Sequence, residues 1–134
     1  MSDVSYTLQL PEARLESIEQ EADTITLRFS QVYLVQEMEN AFDDSLWTQA
    51  VNLSISGCTL DGKPPVCPCE ITGGDFTNNI YTYRNHAPLP INWRGDVRCD
   101  IRVAGSDAVF SISGDSMRLE QLETPRYIRH IKKP

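Results

Sequence analysis

From Val97 to Leu122 apolar and polar residues alternate almost without a break. Val97, Cys99, Ile101 and Val103 fall on one parity, and Arg98, Asp100 and Arg102 on the other. The alternation resumes after Gly105-Ser106-Asp107 with Ala108, Phe110 and Ile112, and after Gly114-Asp115 with Met117 and Leu119. Successive side chains of a strand point to opposite faces, so a period of two marks half-buried strands. The segment reads as three antiparallel strands joined by tight turns.

Upstream, Ile25 to Phe29, Val32 to Val35 and Leu46 to Ser56 carry the same pattern. In the last of these Val51, Leu53 and Ile55 face the core and Asn52, Ser54 and Ser56 face solvent. Residues 13–19 fit two templates. Leu15, Ile18 and Ala22 suit a short helix after Pro11, whereas Ala13, Leu15 and Ser17 suit a strand. The strand, paired in a hairpin with Ile25 onward, agrees better with a chain that is β throughout. Glu37 to Ser45 reads as a loop or one helical turn, Glu70 to Thr72 as a short strand and Gly73-Gly74-Asp75 as a turn. Ile80 to Tyr83 and Arg126 to Ile131 are further short strands. Eight or nine short strands in neighbouring antiparallel pairs predict an all-β domain over residues 1–134. A jelly-roll-like β-sandwich ranks first and a small closed β-barrel second.

At 134 residues one core suffices, and 40% hydrophobic with 23% charged residues is a globular profile. No apolar run approaches the roughly 18 residues of a membrane helix, and no basic, apolar leader opens the chain. The expectation is a soluble, cytoplasmic protein without a membrane role. The formal net charge is -7, and residues 1–50 hold ten acids against Arg14 and Arg28. Nucleic-acid binding needs a basic footprint, so it is excluded as the main role. Arg126, Arg129, Lys132 and Lys133 form a basic tail, read as a solvated terminus before a docking segment.

Cys58, Cys67, Cys69 and Cys99 invite a metal reading, because four thiolates make a tetrahedral zinc site. The spacing speaks against it. Zinc ligands usually pair with two residues between them, whereas Cys67-Pro68-Cys69 has one, and Cys99 shares the inward parity of Val97 and Ile101. Unlinked structural thiols fit better, and no cofactor is expected. His86 and His130 are the only histidines. Gly114-Asp115-Ser116 lacks the second glycine and the strand-to-helix turn of a nucleophile elbow. Asp43-Asp44 lacks the spaced ligands of a calcium loop.

The segment from Phe76 to Arg94 holds the residues best suited to binding: Phe76, Asn78, Tyr81, Tyr83, Arg84, His86 and Trp93. Aromatic rings beside amides and a guanidinium stack on flat groups and satisfy hydroxyls. Tyr81 and Tyr83 share a parity, so covering the edge of the core is their alternative role.

Gly95 to Gly105, Val109 to Glu120 and Pro125 to Ile128 together resemble small bacterial proteins of uncharacterised families. The resemblance implies a small β-rich fold and transfers no catalytic residue. A non-enzymatic module that binds a protein partner or itself is expected first. A small-molecule or carbohydrate-binding module is second, and a thiol-based metal or redox protein third.

Overall fold

The computed structural model describes residues 4–38 and 42–132. Asp3, Glu39 and Lys133, counted in the charge balance above, lie outside them, as does the centre of the segment 37–45. The described strands are β1 (Val4–Glu21), β2 (Thr24–Met38), β3 (Asp43–Ser56), β4 (Thr59–Asp61), β5 (Cys69–Asn78), β6 (Tyr81–Arg84), β7 (His86–Pro88), β8 (Asn92–Val103), β9 (Val109–Gln121) and β10 (Arg126–Lys132). Every pairing is antiparallel.

The expected sandwich is not the fold. The order β3-β2-β1-β5-β8-β9 returns to β3, which gives a closed barrel of six strands with extra strands attached. Alternation is common to both architectures, because each buries one face of every strand. The decisive feature is β9, which keeps β8 on one edge and changes neighbour on the other. Ser111 to Ser113 pair with β4, and Ser116 to Gln121 pair with β3. Gly57, at φ 61°, kinks the chain between β3 and β4 and so lets both lie along β9 in turn.

Gly114-Asp115, read above as a turn, lies within continuous β9, opposite a bulge in β8 that carries the extra residue. The register between β8 and β9 shifts between Arg94 and Val97 at this level. A bulge bends a strand without reversing it. The stretch from Val97 to Leu122 is therefore two strands, not three. Gly73-Gly74 is an irregularity and not a turn, because β5 runs through it with a register shift between Ile71 and Gly73. β2 continues to Met38 and β3 starts at Asp43, so little of the expected loop at 37–45 remains.

The competing helix and strand patterns at 13–22 are resolved by another bulge. Leu15 pairs with Phe29 and Ser17 with Arg28, leaving Glu16 extra. The inward parity thus jumps from Leu15 to Ile18, and this three-residue step mimics a helix. A larger interruption lies between Gln9↔Tyr33 and Arg14↔Gln31, where Glu12 adopts φ 68°. β2 is irregular against β3 at the same level, between Phe29 and Val32. Below this level the three long strands belong to the barrel. Above it they leave the barrel as a flared sheet, with β10 beside β3 and β7 beside β1.

The barrel is filled by side chains. Leu15, Leu27, Leu53, Ile55, Ile71, Phe76, Cys99, Ile101 and Ile112 are all fully buried. Each large aliphatic or aromatic side chain removed from water in this way contributes about 1.5–3 kcal/mol.

Candidate functional site

The aromatic residues singled out in the sequence separate into two groups. Phe76 and Tyr83 are opposite one another in the β5–β6 hairpin, and Phe76 also pairs with Cys99 of β8. Residues directly opposite share a face, so the Phe76 row continues the barrel interior. The Trp93 ring meets Phe76 edge-on at 6.4 Å and stacks on Tyr83 at 5.8 Å. Tyr81 packs on Tyr83 at 4.4 Å. Phe76 is fully buried, Asn78, Tyr83 and Trp93 are half-buried, and only Tyr81 is well exposed, at 60%. Three of the four rings close one end of the barrel core.

Arg84 and His86 do not join this row. β6 alternates, so Arg84 points away from the face of Tyr81 and Tyr83. His86 lies on β7 opposite Gln9 of β1. Between them Asn85, at φ 63°, ties three strands together. Its side-chain oxygen accepts from the Gly74 amide at 3.1 Å and from Arg102 at 2.9 Å, and its backbone carbonyl accepts from Leu10 at 2.8 Å. The hairpin tip is pinned as well, since the Asp96 amide donates to the Asn79 side chain at 3.0 Å.

The thiols also separate. Cys99 is fully buried in the barrel, whereas Cys58, Cys67 and Cys69 are half-buried at its edge. All four are free. Among the described residues no three His, Cys, Asp or Glu side chains gather in a way that could hold a metal ion. Cys67 and Cys69 do meet. Burial first, then the charge and hydrogen bond of Cys67, push the Cys69 thiol up to about 11, with Arg14 acting weakly the other way. A thiol with its proton held this firmly is a poor nucleophile at neutral pH.

The flared sheet presents a different kind of surface, and a polar chain across it fixes the geometry. Gln36 donates to the Tyr6 hydroxyl at 3.0 Å and accepts from the Ser45 hydroxyl at 3.0 Å; Ser45 in turn accepts from the Trp47 indole at 2.9 Å. Trp47 thus held meets Tyr127 of β10 edge-on at 5.4 Å, and Tyr127 meets His130 at 5.5 Å. β10 pairs along one edge with β3, from Arg126↔Thr48 to Lys132↔Asp43. No described strand covers its other edge. Arg126, Tyr127, Ile128, Arg129, His130 and Lys132 are all exposed. The basic tail is therefore a strand docked on the sheet. Its 3.6 Å contact from Arg126 to Glu123 and the register of Lys132 with Asp43 leave Arg129 without an ion pair among the described residues.

The sequence alone marked this segment as basic and as a short strand, and ranked it below the aromatic loop. What it did not show is which neighbour β10 takes and which edge stays open. Comparison of the chain with family models, curated proteins and solved structures finds no match.

Proposed function

We propose that this protein is a non-enzymatic interaction module that takes an extended acidic segment of a protein partner along the open edge of β10. The observation that carries the reading is the contrast among its edges. β4, β6 and β7 have three, four and three residues, whereas β10 has seven. Short edges are a common defence against unwanted pairing, and a long open edge offers a row of backbone donors and acceptors. An added strand gains affinity from those groups and specificity from alternate side chains.

The charges on β10 select the occupant. Arg126, Arg129 and Lys132 lie on one seven-residue strand. A second copy pairing antiparallel through this edge would set cations against cations, which is destabilising. Because of the register shift between Tyr127 and Arg129, Arg126 and Arg129 share a face, and an alternating acidic strand would set opposite charge against both. Tyr127 and Ile128 supply apolar surface within the same strand.

The test uses the full chain and two synthetic peptides, one alternating glutamate with valine and threonine, the other with lysine in place of glutamate. Fluorescence anisotropy is expected to show binding of the acidic peptide only, weakening as salt shortens the screening length from about 30 to about 8 Å. Backbone N-methylation at alternate residues of the peptide should abolish it, and so should R126E/R129E/K132E. Equal binding of both peptides, or binding that survives N-methylation, would overturn the reading.

A second reading rests on Tyr81. Its exposed ring continues the row through Tyr83 to Trp93, a platform on which a sugar or another flat ligand would stack. Tyr81→Ala should abolish binding to a glycan panel if this platform is used, and leave acidic-peptide binding untouched.

A further inference from the structure

A hollow of ≈ 790 Å³ lies on the outer wall of the barrel where β3, β9 and β8 run side by side. The registers place its floor as a grid. Ser54 of β3 is opposite Arg118 of β9, which is opposite Asn92 of β8. One step along, Ser56 is opposite Ser116, which is opposite Arg94. Arg94 and Arg118 are thus diagonal neighbours on adjacent strands, at a spacing that long side chains span. Among the described residues, Arg14, Arg28, Arg98, Arg102 and Arg126 have carboxylates within 4.0 Å, whereas Arg94 and Arg118 have none. Two carboxylates also line the hollow. Glu120 accepts from Asn52 at 3.5 Å, and Asp115 sits beside Gly57.

From this grid we infer that the hollow is a binding site for one compact oxyanion group, a phosphate or phosphate monoester. A guanidinium fork matches the oxygens of phosphate, and two forks from diagonal positions can converge on one tetrahedral group. The hydroxyls of Ser54, Ser56 and Ser116 and the Asn92 amide supply neutral donors around it. Along β9 the acceptors stand at either end, Asp115 before Ser116 and Glu120 after Arg118. They would repel a polyanion that extends along the strand, while a single group between the arginines avoids them. This selectivity agrees with a chain of formal charge -7 that offers nucleic acid no continuous basic track. The inference goes beyond the β10 reading and does not depend on it.

The experiment is an NMR titration of the full chain with inorganic phosphate and, separately, with glycerol phosphate, at constant ionic strength set by chloride. Expected are saturable shifts of the Arg94 and Arg118 side-chain resonances with both probes. Arg94→Gln and Arg118→Gln should each weaken binding about tenfold. Arg84→Gln, at another exposed arginine without an ion pair among the described residues, should not. Because a phosphate monoester loses its second proton near about pH 6, binding of glycerol phosphate should tighten from about pH 5 to about pH 8. Tighter binding of glycerol phosphate assigns the site to an esterified ligand, and tighter binding of inorganic phosphate assigns it to the free ion. Shifts that grow linearly without saturation, that appear equally at Arg84, or that persist in R94Q/R118Q overturn the inference.

Discussion

Cys99 and Phe76 sit directly opposite each other inside the barrel, and both are removed from solvent. Burial pushes the Cys99 thiol upward, with the neighbouring charges of Asp100 and Asp75 adding to it. Cys69 at the barrel edge moves the same way, to about 11. A thiol whose folded pKa exceeds its ordinary value of 9.0 stabilises the fold fully below that value. The contribution disappears as pH rises through the folded value. The urea unfolding midpoint should therefore be insensitive to these thiols up to about pH 9 and fall between about pH 9 and about pH 11. Cys99→Ala will lower stability at all pH values, because it leaves a small void, but its alkaline fall should be shallower than that of the parent. Parallel pH profiles for the two proteins would show that Cys99 does not contribute through its proton.

At the scale of elements, the long strands β1, β2 and β3 each do two jobs. One half of each builds the barrel and the other half builds the flare, with a shared irregular level between them. The flare holds β10 through Trp47 and Tyr127, and an edge-to-face aromatic pair adds about 0.5–1.5 kcal/mol beyond the area it buries. Tyr127→Ala is expected to loosen β10 while the barrel remains folded. The readout is amide hydrogen exchange. Protection should drop across Arg126–Lys132 and the facing residues of β3, and remain unchanged in β5 and β8. A uniform drop across all strands would mean that β10 is integral to the barrel instead of an attached edge.

For the molecule as a whole, closure depends on the seam between β3 and β9. A Cβ on Gly114 would come within 2.5 Å of the Ser56 carbonyl oxygen, and that oxygen belongs to the backbone. The two strands approach this closely because position 114 carries no side chain. Gly114→Ala should destabilise the protein by about 1–3 kcal/mol, as other overpacked sites do, read from urea unfolding. An unchanged midpoint would mean that the seam can part locally at little cost. The outer wall beside this seam carries the Arg94–Arg118 grid: the register of β8 on β9 sets the spacing of the two guanidiniums, and the closing seam brings Ser54 and Ser56 of β3 next to them.

The alternation of Val97–Leu122, Leu46–Ser56 and Ile25–Phe29 determined by itself that the chain is all-β, and it determined which side chains face inward. Cys99, Val51, Leu53 and Ile55 are buried as their parity requires. That inference is local, because side-chain direction along a strand depends only on the backbone of that strand. Tertiary structure decided the rest. Whether the chain reverses at Gly114-Asp115 or runs straight through depends on the neighbours that β9 acquires there, and it is the β3–β9 pairing that closes the barrel. The candidate surfaces are non-local in the same way. Ser54, Ser56, Asn92, Arg94, Ser116 and Arg118 come from three strands, and their adjacency exists only in the registers between them. The open edge of β10 likewise depends on which neighbour the strand acquires. Hydrophobic period is written along the chain, but neighbours across a sheet are fixed only when the whole barrel closes.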